Sequence, residues 1–316
     1  MTDGKVRVAI IGLGDVGQGW AALCTAAGWP VSIFDADANA TANAPDEIKM
    51  RARMLVALDR ASAPHVEAGL HNLVVARSLL EACRDADWII EAGPEDLRVK
   101  QKIFESIESV AQRARAITSS SGAFMAKDIA ARCTLHHRCF VVHPQTPVEL
   151  IPLVEVVSGA ETDHTLIELT KGWLRALGRI PVEIKKPVPG NVAMRISAAV
   201  WREAIDLVLE GVIDVDDLDR AVSLGPALAW AAAGPHLTYH LAAGEGGVRA
   251  FIQHLLQTYE GIWEDLPTWS KLEPEQRRKL VAAVERAYAE DADRIRPARD
   301  RRLAAILRGM ELAKEK

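Results

Sequence analysis

Val6-Arg-Val-Ala-Ile-Ile11 passes directly into Gly12-Leu-Gly14-Asp15-Val16-Gly17, an apolar run followed by three glycines in the spacing G-x-G-x-x-G. The run predicts a buried strand, and the Ala-rich stretch that continues to Gly28 predicts a helix. In that context the first glycine makes the tight turn and the second lets the backbone approach a pyrophosphate. The third lets the helix pack closely on the strand. The helix start, with the backbone of Asp15 and Val16 at its head, then offers free N–H groups and a positive dipole end to an anion. A second strand over Val31–Phe34 puts Asp35 at its end, about 20 residues on, where a carboxylate accepts from both ribose hydroxyls. The competing reading is a glycine-rich turn with Asp35 as a helix cap. Asp35 also repels a 2′-phosphate, and no Arg or Lys follows in Asp35-Ala-Asp-Ala-Asn39, so NAD is favoured over NADP.

Working outward, a charged helical segment runs through Arg60. Further strands are expected at 73–76, 88–91, 116–119, 140–143, 154–157 and 182–184, with helical segments between most of them. Such alternation predicts right-handed crossovers and a mostly parallel sheet covered on both faces. The expected fold is therefore a Rossmann-type, doubly wound α/β domain over residues 1–188. Two prolines and a glycine in Lys185-Lys-Pro-Val-Pro-Gly190 end that pattern. Apolar spacing is helical from there on, giving an all-α domain over 189–316. In it Ile196, Val200, Ala204, Leu207 and Val208 share one helix face. Other helices are expected around 216–224, 248–259 and 274–294, with Pro297 ending the last before a basic tail from Arg294 to Arg302.

Composition narrows the function classes. The chain has 316 residues, 49% apolar and 26% charged, with a net charge of −5. That balance suits an ordinary globular protein and argues against nucleic-acid binding through a general basic field. No apolar run approaches the ~20 residues that span a bilayer. The first residues lack the cationic and apolar regions of a secretory leader. Cys24, Cys83, Cys133 and Cys139 show no C-x-x-C spacing. Reduced thiols and a cytoplasmic location are expected.

The chemistry lies in Phe140-Val-Val-His143-Pro-Gln-Thr-Pro147 and Ile151-Pro-Leu-Val-Glu155. A histidine at a strand end and a glutamate 12 residues on, along a neighbouring strand, can form a carboxylate–imidazole dyad. The carboxylate fixes the ring tautomer and stabilises the imidazolium as the histidine takes a hydroxyl proton. Together with Gly12–Gly17, these stretches are joined by Glu91-Ala-Gly-Pro-Glu95-Asp-Leu-x-x-Lys100, Ser119-Ser-Ser121 and Val188-Pro-Gly190 leading into Arg195. Over nearly its whole length the chain resembles the 3-hydroxyacyl-CoA dehydrogenase superfamily. Gly225-Pro-Ala-Leu-Ala-Trp230 and Thr238-Tyr-His-Leu-Ala-Ala-Gly-Glu245-Gly-Gly-Val-Arg249 are similar to the branch that acts on free small 3-hydroxy acids, the carnitine and gulonate dehydrogenases.

The resemblance implies NAD-dependent oxidation of a carnitine-like 3-hydroxy acid to its 3-keto acid, the substrate lying between the domains. A hydroxyacyl-CoA substrate, or an NAD-binding protein with weak or no catalysis, are the alternatives. It also implies that His143 is the general base, with Glu155 as its orienting partner. Glu95 and Lys100 lie beside the cofactor, and subunits pair into a homodimer through the helical domain. Without it, Glu95 and Lys100 read as an exposed i,i+5 charge pair.

Three positions depart from the family pattern. Thr146 replaces the asparagine of His-Pro-x-Asn-Pro, and Met194 replaces a second asparagine whose amide holds the substrate oxygen in the family. Asn191, one turn earlier at i,i+3 spacing, either substitutes for that amide or caps the helix after Gly190. The family's catalytic serine falls on Gly122 without a gap and on Ser121 with a gap of one; Ser121 is the residue taken as hydroxyl donor. Arg195 and Arg249 are candidates for a substrate carboxylate, with ion pairing elsewhere as the plainer fate. Trp230 and Tyr239 suit a quaternary ammonium by cation–π attraction, or serve as core. His236 and His240 sit at i,i+4, but no third ligand has fixed spacing and no metal is expected.

Overall fold

The computed structural model describes residues 5–289 and 292–313; the segment Met1–Gly4, on which the leader argument draws, lies outside them. Two compact units divide the chain, Met1–Arg195 and Ile196–Lys316.

The first unit is built on eight strands: β1 (Val8–Ile11), β2 (Val31–Phe34), β3 (Leu73–Val75), β4 (Trp88–Glu91), β5 (Ala116–Ser119), β6 (Cys139–Pro144), β7 (Leu153–Val157) and β8 (Ile180–Ile184). They form one sheet in the order β3-β2-β1-β4-β5-β6-β7-β8. Every pairing is parallel except β6 with β7. Side chains alternate between the two faces along each strand. Thus Val8, Ile10, Trp88, Ile90, Phe140 and Val142 join one core with Trp20, while Ala9, Ile11, Ile89 and Val141 join another with Phe104 and Ile107. Burial on both faces is why β1 and β4 are apolar throughout except at Glu91.

The helices of this unit are α1 (Asp15–Ala26), α2 (Ala38–Ala57), α3 (Ala63–His71), α4 (Leu79–Cys83), α5 (Leu97–Val110), α6 (Ala126–Ile129) and α7 (His164–Ala176). Trp20 comes from α1, whereas Phe104 and Ile107 come from α5, so the two helices serve opposite faces. Register puts Phe34, Ile11, Glu91 and Ser119 side by side at the carboxyl ends of β2, β1, β4 and β5. The chain order reverses between β1 and β4, and a doubly wound sheet binds its ligand outside that edge.

α8 (Ala193–Leu209) leads from the first unit into the second. It is followed by α9 (Val215–Leu224), α10 (Pro226–Ala233), α11 (Pro235–Ala242), α12 (Gly247–Asp265), α13 (Pro274–Ala287) and α14 (Ala292–Leu312). Two expectations change here. The helix begun at Pro274 ends at Ala287, and Pro297 lies inside α14 instead of ending a helix. An interior proline removes one i→i−4 bond, and α14 continues past that loss, as α2 does past Pro45. The apolar residues of α8 are largely open. Ile205 is its buried residue, and Ile196 is more than half exposed.

Candidate active site

Gly12 has φ +98°, and a Cβ on it would lie 2.6 Å from the backbone of Ala92 and Gly93. A Cβ on Gly17 would lie 1.9 Å from Gly12 O, so the first turn of α1 packs directly on the loop. Gly14 behaves differently, since a Cβ there meets nothing within 4 Å. The N-cap of α1 is Gly14, which offers no side chain to the first N–H groups, whereas Asp37, Asp96 and Asp163 cap α2, α5 and α7. An uncapped 12-residue helix opening on free space is a cradle for a phosphate group, so these residues fit a dinucleotide.

Asp35 accepts from Leu13 N–H at 2.7 Å through Oδ2 and from Asp37 N–H at 2.9 Å through Oδ1. It ties the glycine turn to the end of β2, and the cap of α2 is Asp37, not Asp35. Asp15 pairs with Arg51 at 2.6 Å, leaving its backbone at the head of α1, and Val16 packs against the core.

His143 and Glu155 stand directly opposite each other in the antiparallel β6–β7 pair. Nδ1 of His143 lies 3.1 Å from Glu155 Oε2, and both side chains are buried. With the carboxylate accepting, Nδ1 carries a ring proton, and in the neutral ring Nε2 keeps the lone pair. Glu155 Oε1 accepts from Val192 N–H at 2.8 Å and Ala193 N–H at 3.0 Å. The carboxylate therefore caps α8 as well as orienting the imidazole. Gln145, not singled out in the sequence, brings Nε2 to 3.5 Å from the same Nδ1.

Asn191 does not sit one helical turn before Met194. It precedes α8 with φ +49°, a left-handed conformation that asparagine tolerates, so the i,i+3 argument fails. The capping bonds at that helix start go to Glu155.

The serine run distributes its hydroxyls three ways. Ser119 donates to Glu91 Oε2 at 2.5 Å, Ser120 accepts from Trp20 Nε1 at 3.1 Å, and Ser121 donates to Glu95 Oε1 at 2.5 Å. Ser121 Oγ also accepts from the N–H groups of Ala123 and Phe124. The position whose Cβ direction meets the imidazole is Gly122, with 2.7 Å to His143 Nε2.

Glu95 and Lys100 are more than an exposed charge pair. Lys100 is 1% exposed, and its Nζ donates to Glu91 Oε1 at 3.0 Å and to Gly93 O at 3.2 Å, with Glu95 Oε2 at 3.2 Å. Glu91 is fully buried and was missed as a site residue. A lone carboxylate ending the apolar run Trp88-Ile-Ile-Glu91 is the sequence signal that marks it. Burial pushes the Glu95 carboxyl up. The Ser121 hydroxyl, the Lys100 ammonium and the Ala123 N–H together outweigh that and hold it below the usual value.

Arg195 is exposed and donates to Pro189 O at 3.3 Å within its own turn. Thr146 is exposed between β6 and β7. Trp230 is half-buried on α10, while the ring contacts of the helical unit join Tyr239, Phe251, Tyr259 and Trp263. His240 Nδ1 accepts from Val248 N–H at 3.1 Å. No helix among the described residues is long and apolar enough to cross a membrane.

Comparison with known proteins bears on this arrangement. The model of the 3-hydroxyacyl-CoA dehydrogenase NAD binding domain matches residues 7–187, and that of the C-terminal domain matches 190–282. An L-carnitine dehydrogenase of Nocardiopsis dassonvillei is 33% identical over 310 residues, covering 96% of this chain and 91% of that protein. One of Burkholderia mallei is 37% identical over 263 residues, covering 82% and 79% respectively. The solved structure of 5-formyl-3-hydroxy-2-methylpyridine 4-carboxylic acid 5-dehydrogenase, an NAD+-dependent dismutase, superposes with a TM-score of 0.81 at 26% identity over 97% of this chain and 99% of that one. NAD is accordingly the cofactor of this protein. Matched through both of its units, the chain belongs to the 3-hydroxyacyl-CoA dehydrogenase family of NAD-dependent oxidoreductases.

Proposed function

We propose that the protein oxidises the 3-hydroxyl of a small free 3-hydroxy acid, carnitine or a close analogue, to the 3-keto acid. The observation that carries this is the buried dyad, in which Nδ1 of His143 is held by Glu155 so that Nε2 is the free base. Likeness to L-carnitine dehydrogenases over most of the chain supports the choice of acid. Gly12, Gly14, Asp15, Val16 and Gly17 present the head of α1 to the pyrophosphate, and Asp35 takes the ribose hydroxyls. Glu95 and Lys100 line the same sheet edge. NAD, when bound, supplies the hydride acceptor.

Nε2 of His143 takes the proton of the substrate hydroxyl, and the Glu155 carboxylate balances the imidazolium that results. Arg195 receives the substrate carboxylate if its guanidinium leaves Pro189. Asn191 and Met194 border the substrate, and Trp230 is a separate candidate for its ammonium group. The helical unit pairs two copies into a homodimer, and the four free, buried thiols suit a cytoplasmic protein.

The experiment is NADH formation at pH ~9, well above the ordinary histidine range. The panel contains free 3-hydroxy acids, carnitine and gulonate among them, beside 3-hydroxybutyryl-CoA. Turnover of carnitine is expected. The family model itself favours a second reading, a hydroxyacyl-CoA substrate; saturation by the CoA ester with silence from every free acid would establish it. Silence across the panel with NAD still bound in calorimetry would leave a cofactor-binding protein of weak or no catalysis.

A further inference from the structure

Glu155 fixes more than the imidazole. Its Oε2 holds Nδ1 of His143, while its Oε1 holds the N–H groups of Val192 and Ala193. Met194, the next residue, is thereby placed relative to the base by a single buried carboxylate. Its methyl carbon comes in beside Gly122. A Cβ built on Gly122 would lie 2.7 Å from Met194 Cε, 2.7 Å from His143 Nε2 and 3.1 Å from His143 Cε1. Gly122 is not among the positive-φ glycines, so what it supplies is room and not a backbone conformation. The volume a side chain at 122 would occupy is bordered by the thioether methyl and the basic nitrogen together. A methyl group offers no proton donor to anything that enters there.

We propose that Gly122 and Met194 are a coupled specificity pair that makes the wall beside His143 apolar. The acid accepted here carries, next to its carbinol carbon, a substituent without hydroxyls: a methylene, or a methylene bearing a methylated cation. A hydroxyl at that place loses its hydrogen bonds to water and meets a methyl group in return. A soft, polarisable thioether adapts to methylene and methyl groups of varied shape. The inference rests on the hydroxy-acid oxidation proposed above.

Selectivity is measured as the ratio of kcat/KM for carnitine to kcat/KM for a polyhydroxylated 3-hydroxy acid such as gulonate. Met194→Asn lowers that ratio at least about tenfold, and Met194→Leu keeps it within about twofold of wild type. A ratio unchanged in Met194→Asn, or lowered as far by Met194→Leu, overturns the proposal. The packing of the pair is measured separately, as thermal midpoints without substrate. Gly122→Ala lowers the midpoint in the wild-type background and by less than about half as much beside Met194→Ala, because one of its two close neighbours is then shortened. Equal losses in both backgrounds overturn the coupling. Should the wild type turn over neither acid, the oxidation reading fails, and the midpoints alone then support or refute the pair.

Discussion

Up to Arg195 the sheet and its helices seal a large apolar core: Trp20, Trp88, Ile10, Ile33 and Phe104 have at most 1% of their surface exposed, although Met50 and Leu80 on the outer surface are more than half exposed. From Ile196 onward Trp201, Val212, Leu224, Leu241 and Trp263 are each more than half exposed, Leu224 at 72%. The buried hydrophobics of that second unit are Ile205, Leu218, Ala304 and Leu307 among the described residues. A sheet covered on both faces makes a core from its own chain. A helix has only a stripe to bury and needs another surface against it, so the proposed pairing of two copies falls to the helical unit. His143 and Glu155, the proposed base and its carboxylate, belong to the sealed region, where neighbouring strands hold them in register. α8 joins the two regions, and Glu155 caps its start.

The largest effect is expected at the dyad of the first region. Glu155→Gln keeps the volume but removes the charge that balances an imidazolium. Turnover is expected to fall about 10²–10⁴-fold, the usual contribution of general base catalysis. His143→Ala does the same with Glu155 intact. NAD affinity, followed by calorimetry, is expected to stay within about threefold in both, because the glycine turn and Asp35 lie elsewhere on the sheet edge. Turnover surviving in His143→Ala would separate the dyad from the chemistry.

Next in size is the sealed region's own charge. Lys100→Met leaves the fully buried Glu91 without its ammonium partner. Breaking a buried pair from one side costs about 3–5 kcal/mol, which a denaturant titration detects directly. Replacing both, as Glu91→Gln with Lys100→Met, is expected to recover part of that loss. If Lys100→Met alone is neutral, the first region is not as closed to water as its burial implies.

The helical region is tested by association. Trp201 is 64% exposed, and an aromatic of that size at the centre of an interface contributes at least about 2 kcal/mol. Trp201→Ala is expected to weaken self-association by roughly 30-fold, measured by light scattering across a dilution series. NAD affinity is expected to be unchanged. A wild-type chain that is monomeric at micromolar concentration would remove the contrast between the regions.

The parts of this arrangement that are local in sequence were legible in it. Three glycines at fixed spacing, Asp35 at the end of the next strand, and the His143 and Glu155 strands all follow from short-range patterns, and β2, β4 and β5 end where those patterns do. What was not legible depends on tertiary placement. No periodicity says that Lys100 is buried, because its burial comes from Glu91 nine residues back at the end of a different element. Asn191 looked helical by spacing, yet its left-handed backbone ends the turn before α8 begins. Pro297 reads as a helix breaker, and its interior position in α14 costs a single hydrogen bond. The Gly122–Met194 approach brings together residues 72 positions apart, a loop after β5 and the start of α8, the latter held by a carboxylate on β7.

The smallest effect expected belongs to Glu95, at the rim of the sealed region with 46% of its side chain exposed. Its carboxyl is held below the ordinary value, burial being outweighed by Ser121, Lys100 and the Ala123 N–H. A group whose folded-state pKa is depressed adds stability that is present above the unfolded-state pKa. That stability is lost as pH falls through the folded-state value. The acid limb of the thermal midpoint is therefore expected to be shallower in Glu95→Gln than in wild type, starting near pH 4.5, the ordinary value for this carboxyl. Solvent screening keeps the difference below about 1 kcal/mol. Lys100 retains Glu91 in that variant, so the buried pair is untouched and the midpoint at pH 7 is expected to move little. Identical acid limbs would place the Glu95 contacts outside the forces that stabilise the sheet edge. The acid sensitivity of the first unit would then have to be sought among its other carboxylates.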